Sequence, residues 1–155
     1  LTVVDSVNLQ RYTGLWYEIA KIPNKFQKDC ARNTTAVYRL RSDGNITVIN
    51  TCINPEGETI TASGTARVEN NATKAKLKVS FVKVLGINLF WGDYWIIGLD
   101  DDYEWAVVGE PSRKYGWILA RSPEPSSGVR AKINSVLRNN GYNPDSFIET
   151  SHPDI

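Results

Sequence analysis

Ala75-Lys76-Leu77-Lys78-Val79-Ser80-Phe81 sets Leu77, Val79 and Phe81 on one side of an extended chain and Lys76, Lys78 and Ser80 on the other. Successive strand side chains point to opposite faces, so this run reads as a strand with one face in a core and one in water. Runs of the same kind lie on either side of it. Upstream are Leu15 to Ile22, closed by Pro23, then Thr34 to Arg41, Asn45 to Ile53 and Glu58 to Val68. Asp43-Gly44 and Pro55-Glu56-Gly57 separate the last three, and both are turn signals. The quoted run follows Asn70-Asn71 and extends to Val84; downstream come Tyr94 to Leu99, Glu104 to Val108 and Gly116 to Ala120. Eight short runs with closely spaced turns predict an antiparallel sandwich or barrel rather than βαβ units.

The late runs differ from the early ones. Trp95-Ile96-Ile97 and Ala106-Val107-Val108 are apolar on both faces, so something must cover them from outside. Val129, Ile133, Val136 and Leu137 recur at helical spacing between the N-cap candidates Ser126 and Ser127 and the stop signal Gly141. That spacing predicts one amphipathic helix over residues 126–140, packed on the apolar wall. Eight sequential strands can close on themselves, leaving an interior that holds either one small ligand or a plug of side chains. Five Trp, seven Tyr and four Phe exceed what a plug requires, which favours a pocket.

The 155 residues fit a single domain. A net charge of +1 gives no field to draw nucleic acid, and no apolar run approaches the roughly 18 residues that span a bilayer. The start at Leu1 and the absence of Met are what removal of a signal peptide would leave. Cys30 and Cys52 alone offer no four-ligand zinc set and no CxxC pair. They form either two free thiols or one disulfide, which their places flanking one hairpin and an oxidising compartment favour. With a two-residue turn at Asp43-Gly44, Thr35 rather than Cys30 faces Cys52, so the bond needs a bend or bulge near Ala31 to Asn33. His152 lies in the polar tail Thr150-Ser151-His152-Pro153-Asp154-Ile155 and reads as solvated. No GxSxG, Walker loop, HExxH or GxGxxG occurs, and Asp100-Asp101-Asp102 reads as a solvated turn, so no catalytic residue, metal or cofactor is expected. Asn33-Thr34-Thr35, Asn45-Ile46-Thr47 and Asn71-Ala72-Thr73 are glycosylation sequons.

Gly14-Leu15-Trp16-Tyr17-Glu18-Ile19-Ala20 resembles the GxW signature that opens the first barrel strand of lipocalins. Leu99-Asp100-Asp101-Asp102-Tyr103 resembles the family's second motif, and Trp117-Ile118-Leu119-Ala120-Arg121-Ser122-Pro123 its third. The three stand in order with the helix after the third, and the resemblance spans residues 5–150. Trp16 to Pro23, Tyr38-Arg39-Leu40, Ala75 to Phe81 and Trp117 to Arg121 are most similar to the branch holding the bacterial outer-membrane lipocalin, the plant temperature-induced lipocalins and apolipoprotein D. The resemblance implies an all-β fold: an eight-stranded antiparallel up-and-down β-barrel over residues 14–121, with one C-terminal α-helix packed outside. It implies an extracytoplasmic protein, secreted or associated with the periplasm or outer membrane. It also implies a carrier or store of fatty acids, lysophospholipids or similar small hydrophobic ligands, and not an enzyme.

Matched position by position, the resemblance makes Phe26, Tyr38, Asn50, Val79, Phe81, Tyr94, Tyr115 and Trp117 pocket-facing. It gives Gly14, Trp16, Asp100, Tyr103 and Arg121 structural roles, the Arg121 guanidinium lying on the Trp16 indole at the closed end. Strand alternation independently groups Leu77 with Val79 and Phe81, and Tyr115 with Trp117, Leu119 and Arg121. Bacterial members of the branch often carry a lipidated N-terminal Cys; no Cys precedes Cys30, so the chain as given offers no support for such an anchor. The connection from Val84 to Gly92 is apolar for a loop, and Leu85, Ile87, Leu89, Phe90 and Trp91 suit a lid, a dimer contact or a peripheral membrane contact. The expected state is a monomer or homodimer. The rival readings are a pigment or tetrapyrrole carrier, an enzyme with Cys52 as a reactive thiol, and a plugged barrel without ligand.

Overall fold

Antiparallel pairing carries the chain through β1 (Gly14–Lys21), β2 (Arg32–Leu40), β3 (Ile46–Ile53), β4 (Thr59–Val68) and β5 (Lys76–Ser80). After a short hairpin, β6 (Val82–Val84) with β7 (Ile87–Leu89), it continues through β8 (Gly92–Leu99), β9 (Trp105–Gly109) and β10 (Gly116–Ala120). β8 pairs with β5, and β10 returns to β1, with Tyr17 opposite Ala120 and Lys21 opposite Trp117. Eight strands thus close into an up-and-down barrel, and β11 (Ile148–Glu149) adds a short ninth strand beside β1. Among the described residues the two α-helices are α1 (Leu9–Tyr12) and α2 (Ser127–Asn139). This computed structural model describes residues 1–84, 87–89 and 91–153, at 82–84 and 87–89 through the backbone alone.

One end of the barrel is covered by the N-terminal segment, which is pinned where the Val4 N–H donates to the Ile96 carbonyl and the Val7 N–H to the Thr73 carbonyl. The other end is the mouth, where the chain runs from β1 to β2, from β3 to β4, from β5 to β8 and from β9 to β10. Leu77, Ile96, Val108 and Leu119 fill the interior. Their outward neighbours Ile97, Val107 and Ile118 meet Ile133 and Leu137 of α2 in a second core. Ser126 caps α2 by accepting from the Val129 N–H. Gly98 lets the helix approach, because a Cβ there would lie 2.8 Å from a Val136 methyl.

Several expectations change. The turn between β2 and β3 is longer by one residue: the Arg41 N–H bonds the Asn45 carbonyl around Ser42-Asp43-Gly44, with Gly44 at φ +87° and the Asp43 carboxylate accepting from the Asn45 N–H. Thr35 therefore faces Thr51, not Cys52. The register then shifts between Arg32 and Thr35, where Asn33 has φ +56°, and this bulge turns Cys30 onto Cys52. The two are bonded, with their Cα atoms 5.5 Å apart. The run from Ala75 to Val84 is not one strand; it breaks at Phe81 into β5 and the hairpin. Ser80 is buried rather than wet, opposite Thr65 where β5 ends. The tail is not free: the Thr150 N–H donates to the Ile19 carbonyl, the Asn33 N–H to the Ser151 carbonyl, and His152 Nε2 lies 2.6 Å from the Glu18 carbonyl. His152 is thus held in the wall and packs edge-on against Tyr17.

Candidate ligand-binding site

Three elements shape the mouth. The first is a single 3₁₀ turn, Lys25–Gln27, whose N-cap Asn24 accepts from the Gln27 N–H. It holds Phe26 72% exposed at the rim, 5.7 Å from the Tyr115 ring. The second is the start of β10, where Trp117 and Tyr115, just before the strand, stack nearly parallel, with centroids 6.3 Å apart. The third is the end of β5, where the Phe81 ring lies over the inward side of β4 because residue 64 is glycine. A Cβ at Gly64 would stand 2.6 Å from that ring. Between Phe26 and Phe81 opens a cavity of about 210 Å³, also lined by Gln27, Asn50, Ile60 and Ala62 and by the disulfide.

Deeper in, the Tyr94 hydroxyl lies 2.8 Å from the Tyr12 hydroxyl and 2.8 Å from that of Tyr38. Tyr12 arrives from α1, outside the barrel proper, with its ring 5.1 Å from Trp16 and 5.5 Å from Tyr38. Val79 packs against the same interior. Burial holds the Tyr12 and Tyr94 hydroxyls well above the ordinary tyrosine range, and their neighbouring phenols reinforce this. Burial, with the Glu18 carboxylate adding to it, pushes Tyr38 up to about 12. The folded state therefore keeps protons that the unfolded chain releases near 10, so the contribution of these groups to stability is complete below 10, and that of Tyr38 is lost as pH rises through about 12. In an alkaline titration the phenolate absorbance of the native protein should lag behind that of the denatured chain, and stability should fall over this window. Coincident titration curves would refute the buried hydroxyl cluster.

The eight residues expected in the pocket thus divide. Phe26, Asn50 and Phe81 line the mouth cavity, Tyr115 and Trp117 stand beside Phe26, and Tyr38, Tyr94 and Val79 lie below. At the closed end the Arg121 guanidinium sits 3.8 Å above the Trp16 ring centroid. It donates to the Tyr103, Leu15, Arg11 and Thr13 carbonyls. Gly14, at φ +100°, passes beneath it, and the Asp100 carboxylate accepts from the Glu104 N–H to close the turn that presents Tyr103. Both sulfurs are taken up in the disulfide, which removes Cys52 as a free nucleophile. Of the apolar connection, Trp91 lies under the Arg67 guanidinium on the outer face of β4, 4.2 Å from it. Leu85, Gly86 and Phe90 fall outside the described residues, as do the side chains of Ile87 and Leu89.

Four residues of the site escaped the sequence reading: Tyr12, Glu18, Gln27 and Thr150. Only Glu18 carried a signal, an acid two positions after Trp16 and hence on the inward face.

The family model for a lipocalin-like domain matches residues 7–152. The chain belongs to the lipocalin family. This lipocalin is 38% identical over 154 residues to the outer membrane lipoprotein Blc of Escherichia coli strain K12, covering 99% of this chain and 84% of that protein. It is 33% identical over 156 residues to temperature-induced lipocalin-1 of Arabidopsis thaliana, covering 99% and 84%. To apolipoprotein D of Mus musculus it is 31% identical over 157 residues, covering 96% and 78%. Among solved structures, insecticyanin of the tobacco hornworm Manduca sexta superposes with a TM-score of 0.80 at 20% identity, over 99% of this chain and 85% of that one, a likeness of fold. Lipocalins bind small hydrophobic ligands.

Proposed function

We propose that this lipocalin carries one fatty acid, lysophospholipid or similar amphiphile in its barrel, entering between Phe26 and Phe81. The observation that carries the reading is the combination of an aromatic mouth with a hydroxyl floor. Two hydrogen bonds among Tyr12, Tyr94 and Tyr38 use two of three hydroxyl hydrogens. The third has no acceptor among the described residues and is available to a carboxylate, carbonyl or hydroxyl of the ligand. Asn50 offers a second polar partner at the rim. Burying about 200–300 Å² of ligand surface is worth roughly 5–7 kcal/mol gross, and ordering costs bring the expected affinity to about micromolar. The protein works outside the cytoplasm, a location supported by the Cys30–Cys52 bond and by a relative named as an outer membrane lipoprotein.

Intrinsic tryptophan fluorescence, titrated with a long-chain fatty acid and with a lysophospholipid, should change saturably near one ligand per chain. Trp117→Ala, with its fold verified, should weaken binding about tenfold through lost aromatic contact. Absence of any saturable change in protein stripped of endogenous ligand would overturn the reading.

A further inference from the structure

Glu18 is a carboxylate in a barrel wall, 2% exposed, at a position where an apolar residue would avoid the desolvation cost. Both its oxygens accept from neutral donors: Oε1 from Gln27 Nε2–H at 2.8 Å, and Oε2 from the Thr150 hydroxyl at 2.6 Å. The Gln27 amide oxygen in turn takes two bonds, accepting from the Trp117 indole Nε1–H at 2.9 Å and from Asn24 Nδ2–H at 2.9 Å. A continuous path therefore runs from Thr150 through Glu18 and Gln27 to Trp117. It links β1, the 3₁₀ turn, β10 and the C-terminal segment.

The start of that path is a strap. β1 pairs with β2 only from Gly14 to Tyr17, yet β1 continues to Lys21. Residues 148–153 fill the gap: Ile148 faces Lys21, Glu149 faces Ala20, the Thr150 N–H bonds Ile19, and Ser151 accepts from the bulged Asn33 N–H. Phe26 is the residue before Gln27 in the same 3₁₀ turn, so what holds Gln27 holds the turn that carries the rim residue.

We propose that Glu18 is a positioning residue for the ligand mouth, through which the C-terminal strap sets Gln27, Trp117 and Phe26. This deepens the carrier reading and rests on it for its effect on ligand. Neither Thr150 nor Glu18 lines the mouth cavity, and Gln27, which bonds Glu18, does, so the effect on ligand is relayed through Gln27. With the Thr150 hydroxyl in place, the carboxylate has one orientation and Gln27 has one acceptor for its amide hydrogens. Without it, Glu18 is free to turn, and the Gln27 and Trp117 contacts loosen together.

The test uses the full chain with Thr150→Val, which keeps the backbone bonds of the strap, Glu18→Leu, and Thr150→Ser as the rescue. Two quantities are read: hydrogen exchange of the Trp117 indole N–H by NMR, assigned with Trp117→Phe, and the dissociation rate of 11-(dansylamino)undecanoic acid. Thr150→Val and Glu18→Leu should each speed both by about fivefold, the equivalent of one lost hydrogen bond, and Thr150→Ser should restore wild-type values. An indole N–H unmoved in both variants overturns the proposal, as does exchange that tracks only the fall in urea midpoint, because that would make Glu18 merely structural. If the indole responds as expected but wild-type protein does not bind the probe, the positioning of the wall stands and the carrier reading falls.

Discussion

Trp16→Ala is expected to cost about 4 kcal/mol of stability, the largest loss from any single replacement in the barrel. The ring is fully buried, and its indole N–H donates to the Tyr12 carbonyl at 2.8 Å, so truncation leaves both a cavity and an unpaired acceptor. The cost extends to Arg121, whose guanidinium would lose the indole face it lies on while remaining tied to four backbone carbonyls. Arg121→Lys should lose less, but still measurably, because an ammonium cannot reproduce the planar fork that serves several carbonyls at once. Urea unfolding of the two variants checks both statements. A Trp16→Ala midpoint close to wild type would show that the closed end is held by other contacts, and full stability with lost ligand binding would move Trp16 from plug to site.

Breaking the Cys30–Cys52 bond is the second large change. The sequence separation of 22 makes the constraint on the unfolded chain worth about 3 kcal/mol in the loop-entropy treatment. The bond also borders the mouth cavity beside Phe26 and Gln27, so its loss frees the rim as well as the unfolded state. A double Cys→Ala variant should therefore unfold at lower urea and bind the same fatty acid more weakly than its loss of stability alone explains. Equal midpoints for the variant and the oxidised parent would contradict the stability estimate. Unchanged affinity would show that the bond has no part in shaping the rim.

Most of the barrel was legible because its information is periodic. Leu77 and Val79, the two-faced runs around Ile97 and Val107, and the helical spacing of Ile133 and Leu137 each predict which side is buried, and those sides are where the two cores lie. What was not legible is what has no period. α1 spans only Leu9–Tyr12, too short for a helical pattern, yet it delivers the Tyr12 hydroxyl to the floor. β11 is two residues long, too short to show an alternation, so Thr150 and His152 read as solvated tail although the edge of β1 orders them. The Asp43-Gly44 turn misled by a single residue, because a two-residue and a three-residue hairpin share the same Asp-Gly signature and differ in whether Ser42 or Arg41 pairs with Asn45. The role of Glu18 depends on Gln27 and Thr150, partners that local sequence cannot bring together.

The seam between β1 and β10 also governs the order in which the molecule can form. Strands β2 to β5 each find a partner as soon as the next hairpin exists, but the far side of β1 has none until Trp117 to Ala120 are present. A chain emerging from a ribosome or an export channel with its amino end first therefore presents an incomplete, curling sheet with Trp16 uncovered for most of its passage. Closure, the seating of Arg121 on that indole, and the docking of the strap beyond it are all late events. Through that interval the exposed edge of β1 is the part of the chain most open to chaperone capture or to pairing with another copy.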